Sequence, residues 1–310
     1  MAVATAHSVA RRTARFSDSR RLSSRWNSLW GWVSAQDQDV DYRYYGLPFR
    51  SPAGAVYDVY ARRWPSYNDP LVGVVLLTAQ ALGRHVRVID VGAAMGDSAV
   101  LLHATARDVV SDILCVEGLP HFARYLRHNT AQLPGVEVLE ALLSDGPSAR
   151  ALVASRVGTA SPTGPDMQQA QTLDSVVDAD ASWDVVKIDV DGYDGRVLAG
   201  AVELLKASTP VVIFEWDPAA YVHAGSDPAQ PFHTLEGVGY ESFVWFDKYG
   251  SFSHFTRAGD PALLAMYEHF CQHTSRTDWH YDVVALPSGS RISPTELADL
   301  RGVRERKPAL

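Results

Sequence analysis

The chain is 310 residues long, 46% hydrophobic and 21% charged, enough apolar mass for one large globular domain with an appendage. Two cysteines, Cys115 in an apolar run and Cys271 in a helix-like run, argue against a disulfide framework and fit a reducing compartment, with Cys115 read as a core residue. The net charge of -8 combines +5 over residues 1–30, where Arg11, Arg12, Arg15, Arg20, Arg21 and Arg25 face only Asp18, with -13 for the remainder, a balance that disfavours a nucleic-acid-binding body.

Residues 1–30 read as a basic, flexible arm, with an organelle transit peptide as the alternative. A cap rich in aromatic residues and turn formers follows over 31–70; its Tyr44, Tyr45, Trp64 and Tyr67 are candidates to stack on a sugar or planar acceptor, or to roof the core. No run approaches the roughly 18 apolar residues of a membrane span, because 72–82 is broken by Thr78 and Gln80, so a cytoplasmic protein is expected.

The catalytic domain is expected over 71–290, with a tail over 291–310. Short aliphatic runs at 86–91, 113–117, 136–142, 183–190 and 211–216 alternate with helical spacing at 98–107, 120–132 and 194–206, where Asp97 and Asp194 are candidate N-caps. Strands at 242–246 and 281–286 then flank a helix over 261–273 and are expected to form an antiparallel edge. The alternation predicts an α/β fold, a mixed seven-stranded sheet with helices on both faces and an antiparallel last strand. Residues 155–171, rich in Ser, Thr, Gly, Pro and Gln, read as a surface loop.

The first strand runs into Asp90-Val91-Gly92-Ala93-Ala94-Met95-Gly96-Asp97-Ser98, where small residues let the backbone turn sharply and a ligand approach the main chain. Two glycines four apart do not satisfy the dinucleotide fingerprint. The next strand ends at Glu117, 25 residues after Gly92 and just before Gly118, where a carboxylate can accept from both hydroxyls of a ribose, or else cap the helix near Pro120. The third run ends in Ala141-Leu142-Leu143-Ser144-Asp145, whose small residues and terminal acid are candidates to border an adenine ring; Ser144-Asp145-Gly146 reads equally as a turn.

With Lys187-Ile188-Asp189-Val190-Asp191-Gly192-Tyr193-Asp194, these segments resemble the FkbM family of methyltransferases, whose strands read roughly D-V-G-A-x-x-G and K-I-D-V-E-G-x-E. The likeness spans roughly residues 70–290, including Glu215 and 281–287. The resemblance implies a class I, Rossmann-like fold, S-adenosylmethionine as cofactor, and methyl transfer to a hydroxyl of a sugar or secondary metabolite. Its cofactor set would be Asp90, Gly92, Ala93, Gly96, Asp97, Ser98, Glu117, Gly118, Ser144, Asp145 and Asp189. Asp191 and Asp194 stand where the pattern has glutamates, shortening both acids by one methylene.

Methyl transfer to an alcohol requires collinear donor and acceptor and removal of a proton. Asp189, Lys187, Glu215 and His223 are the candidate catalytic residues, with Asp217 also near the acceptor and His233 and His254 as weaker bases. Asp189, Asp191 and Glu215 are candidate ligands for Mg2+. An EF-hand loop is excluded, because position twelve from Asp189 is Gly200. The alternatives are a catalytically silent binding module and N-methylation. Nucleic-acid methylation is disfavoured, since Asp217-Pro218-Ala219-Ala220 does not supply an Asn/Asp-Pro-Pro-aromatic tip. A hydrophobic cap beside a cleft leaves a homodimer open.

Overall fold

The computed structural model describes residues 2–310 apart from 19–21, 148, 152, 155–159, 162–166, 179–180, 258 and 275–278. Helices α1 (Ala2–Arg12) and α2 (Ser23–Ser34) precede an antiparallel hairpin of β1 (Asp39–Tyr44) and β2 (Leu47–Pro52). Where described, the stretch expected as a flexible arm is therefore helical, and it is docked. Arg11 is 6% exposed, pairs with buried Asp58 at 2.5 Å, and lies 3.7 Å over the Tyr42 ring. A guanidinium leaves water only for such partners, which is why a basic segment packs here.

Helices α3 (Tyr57–Arg63) and α4 (Asp69–Leu82) lead into β3 (Val86–Val91), α5 (Asp97–Ala106), β4 (Val110–Glu117), α6 (Pro120–Thr130) and β5 (Val136–Glu140). Short strands β6 (Ala149–Ala151), β7 (Val153–Ala154), β8 (Ala160–Ser161) and β9 (Met167–Gln169) pair as two ladders off the main sheet; most of the expected 155–171 loop lies outside the described residues. Then come α7 (Leu173–Val176), β10 (Val185–Ile188), α8 (Asp194–Ala199), α9 (Val202–Ser208), β11 (Val211–Trp216), α10 (Pro218–His223) and α11 (Gln230–Gly237). The chain continues through β12 (Tyr240–Asp247), β13 (Phe252–Thr256), α12 (Pro261–His273), β14 (Tyr281–Pro287), α13 (Pro294–Leu297) and α14 (Arg301–Arg306).

The main sheet runs β13-β12-β14-β11-β10-β3-β4-β5. Strands β5, β4, β3, β10 and β11 are parallel, and β14 runs antiparallel between β11 and β12. Apart from the outermost strand this is the class I methyltransferase arrangement. Two expectations are corrected. The sheet has eight strands, because β13 folds back on β12 through a turn in which Asp247 accepts from the N–H groups of Tyr249 and Ser251. Strand β14 is antiparallel, as expected, but lies inside the sheet rather than at its edge, with Val283 to Leu286 at most 2% exposed.

Alternate strand residues feed opposite cores: Val88 packs with α4 to α6, while Ile89 packs toward α8, α9 and a mainly edge-to-face aromatic cluster of Phe214, Trp216, Phe232 and Trp245. The helix expected over 194–206 is two, α8 and α9, parted at Gly200 and Ala201. At the other end of the chain, Arg304 and Lys307 both pair with Asp69, which is 1% exposed, and Lys307 Nζ donates to the Tyr67 carbonyl at 2.7 Å. The C-terminal segment thus ties down the turn that carries Tyr67 and Asn68.

Candidate active site

The carboxyl ends of β3, β4, β10 and β11 open into a cavity of about 490 Å³, within the usual range for small-molecule sites. Its first wall is the β3–α5 turn. Gly92 has φ +76°, and a Cβ there would stand 1.9 Å from the Asp189 carbonyl oxygen, so only glycine lets the β3 and β10 tips meet. The Asp189 N–H closes that contact on the Val91 carbonyl at 3.1 Å. Glu117 accepts from the N–H of Ala94 at 2.8 Å and of Leu119 at 2.7 Å, which fixes its carboxylate at the cavity wall. Burial pushes Glu117 up to about 7 against those two hydrogen bonds. Asp97 is likewise pushed up to about 7, by burial and then by Asp90 and Asp189 against the pull of Lys187.

The cavity floor is an ionic cluster. Lys187 Nζ lies 3.2 Å from both Asp90 and Asp189. Burial disfavours its charge, but Asp189, Asp90 and Asp97 together outweigh that and raise its pKa well above the ordinary value. Asp189 is held low: burial opposes ionisation, while Lys187 and a hydrogen bond with Glu215 favour it. Glu215 goes the other way, raised well above the ordinary carboxyl range by burial and by Asp189. Asp194 does not reach the cavity. It is fully buried and accepts from the N–H groups of Val190 and Gly192, closing the 189–194 turn on itself.

The far wall comes from three separate segments: Tyr57, Tyr60, Tyr67 and Asn68; Lys248; and His280 with Asp282 on or beside β14. Asp282 is pushed up to about 7 by burial and Asp189.

Residues 90–241 match the model of the methyltransferase FkbM domain. This part of the chain belongs to the FkbM methyltransferase family. Among solved structures the chain is similar to an FkbM methyltransferase from Methylobacillus flagellatus, at 12% identity and a TM-score of 0.43 over 65% of this chain and 43% of that one. The chain therefore spans less than half of that protein's length. It is also similar to a precorrin-6y C5,15-methyltransferase from Geobacter metallireducens, at 14% identity and a TM-score of 0.37 over 69% and 88% of the two chains. A SAM-dependent methyltransferase from Aquifex aeolicus is matched at 12% identity and a TM-score of 0.32, over 65% and 82%. No curated protein matches.

Within this FkbM domain the structure brings Gly92, Asp97, Ser98, Glu117, Gly118, Lys187, Asp189, Asp191 and Glu215 to the cavity wall. Asp90, Ala93, Gly96, Ser144 and Asp145 are not on it. Asp90 instead accepts from the Ser98 hydroxyl and pairs with Lys187, and Ser144 donates to Asp145 at 3.0 Å, leaving Ala141, Leu142 and Leu143 as the apolar wall. Gly96 forms the left-handed N-cap of α5, so Asp97 is that helix's first residue rather than its cap. His223 is exposed on α10, away from the cavity, as is His233 on α11; His254 stacks on Trp245. Tyr44 and Tyr45 are core residues, and of the expected aromatic set only Tyr67 lines the cavity.

His280 was missed, although its alternation with Asp282 in His280-Tyr281-Asp282 mirrors Glu215-Trp216-Asp217. Among the described residues the group with metal-ligating spacing is Glu215, Asp217 and His280, not Asp189, Asp191 and Glu215. No helix among the described residues is long and apolar enough to cross a membrane.

Proposed function

We propose that the chain is an S-adenosylmethionine-dependent O-methyltransferase that acts on a hydroxyl of a small molecule, a sugar or secondary metabolite. The observation that carries this reading is Asp189, a carboxylate at the meeting point of the cavity's two halves, 3.2 Å from Lys187 Nζ and beside Glu215.

The cofactor half fits a nucleoside. Glu117 offers a fixed carboxylate at ribose position, and Leu119, Phe122, Leu142 and Leu143 offer apolar faces for a base. S-adenosylmethionine, when bound, supplies a sulfonium methyl whose C–S bond breaks, leaving its electron pair on sulfur, as the acceptor oxygen bonds the carbon. Asp189 orients the acceptor hydroxyl and takes its proton. Lys187 keeps Asp189 ionised between turnovers. Tyr57, Tyr60 and Tyr67 line the acceptor half with aromatic rings, Tyr60 and Tyr67 set edge to face at 76°, and such rings offer faces on which sugars stack.

Calorimetric titration with S-adenosylhomocysteine, followed by transfer of labelled methyl to matched hydroxyl and amine acceptors, tests the reading. Saturable binding lost in Glu117→Ala and Gly92→Val, with label on oxygen, is expected. Folded protein that binds no S-adenosylhomocysteine overturns the cofactor; label confined to nitrogen overturns O-methylation.

A further inference from the structure

Strands β11 and β14 pair Glu215 with Asp282 and Trp216 with Tyr281; continuing the register sets Asp217 beside His280. With side chains alternating along each strand, Glu215, Asp217, His280 and Asp282 converge on one face at the cavity edge. Ligand atoms of Glu215, Asp217 and His280 lie within 4.8 Å of one another, the span of a single coordination sphere. The Asp217 carboxylate is oriented in advance, since its Oδ1 accepts from the N–H groups of Ala219 and Ala220 at 2.9 and 3.1 Å.

We infer that Glu215, Asp217 and His280 form a site for a divalent first-row transition ion such as Mn2+, open toward the acceptor half of the cavity. Two carboxylates and an imidazole are a donor set for manganese, iron or zinc rather than for magnesium, which keeps to oxygen. The imidazole separates this group from an ordinary patch of acids. A second observation is the composition of the cavity: seven acidic side chains line it against Lys187 and Lys248, and Lys187 is already committed to Asp90 and Asp189. With two or three positions left to the cavity, the ion would hold neighbouring acceptor oxygens and lower the pKa of the one whose proton Asp189 takes. That role rests on the O-methyltransferase reading, whereas the binding itself does not.

The test uses the full chain and Mn2+ alone, followed by electron paramagnetic resonance as the free six-line signal disappears, with S-adenosylhomocysteine titrated separately into each variant. We expect one saturable Mn2+ site, displaced by Zn2+, and weakened about tenfold or more in His280→Ala and in Glu215→Gln, while both variants still bind S-adenosylhomocysteine. Wild type without saturable Mn2+ binding, or His280→Ala with wild-type affinity, overturns the site and leaves His280 as a neighbour of Glu215, with Nδ1 3.3 Å from its carboxyl oxygen. Either outcome with intact S-adenosylhomocysteine binding leaves the methyltransferase reading standing.

Discussion

Lys187 and Asp90 occupy paired register positions on adjacent parallel strands, and their side chains meet at 3.2 Å beneath the cavity. Replacing Lys187 with Met strands Asp90, which is 1% exposed, and Asp189 without their counter-ion. Breaking a buried pair from one side costs about 3–5 kcal/mol. Lys187→Met should lower Tm by roughly 5–8 °C and abolish methyl transfer, with Asp90→Asn restoring part of the stability but not the activity. A Lys187→Met protein that melts like wild type would refute the pairing.

At Gly92 even a methyl group is too much. The φ of +76° strains any L side chain, and the Cβ would meet the Asp189 carbonyl. Gly92→Ala should lose S-adenosylhomocysteine affinity by about tenfold or more, a cost of about 1.4 kcal/mol or above, with its far-ultraviolet circular dichroism retained. Wild-type affinity in that variant would show that the β3 and β10 tips do not meet as described.

Asp97 and Asp282 rise from 3.8, and Glu117 from 4.5, to about 7 in the folded chain. The native state therefore binds more protons than the unfolded one between about pH 4 and pH 7, so these groups stabilise the fold at the acid end of that window. Their contribution is lost as pH rises through about 7, at up to ~1.4 kcal/mol per unit for each group. His7, lowered to about 4 by burial and Arg11, acts in the opposite sense below 6.5. Urea unfolding should give higher stability near pH 6 than near pH 8, with a flatter profile in Asp282→Asn; a profile rising toward pH 8 would contradict the burial of these acids.

Arg11 shares Asp58 with Arg62, whose Nε lies 2.7 Å from the same carboxylate. Arg11→Met should accordingly cost only ~1–3 kcal/mol, open α1 to limited proteolysis, and leave S-adenosylhomocysteine affinity unchanged, because no α1 residue lines the cavity. A loss of that affinity would tie the N-terminal helices to the site.

The sheet was legible where strands are buried on both faces. Strands β3 and β11 match their apolar runs residue for residue, because continuous Val and Ile runs leave few alternatives. Strand β13 was not legible: Phe252 and Phe255 are exposed and His254 half-buried, so no alternation marks it. The site divided in the same way. Residues on strand tips in local motifs, such as Gly92, Glu117 and Asp189, could be found from spacing, whereas Tyr57, Lys248 and His280 reach the cavity only through tertiary packing. Asp90 and Asp194 share the motifs but turn inward to bind side chains and backbone, a difference that spacing does not encode.

The position of β14 also dictates when the molecule can be completed. It is the last strand of the main sheet to be synthesised, yet it lies between β11 and β12, which remain bare edges until residue 287 has left the ribosome. His280 and Asp282 arrive with it, so sheet closure and cleft closure are one event. A fragment cut to 90–241 would lack four of the six residues of β3 and all of β14. The stretch that the family model matches is thus too short to build this sheet.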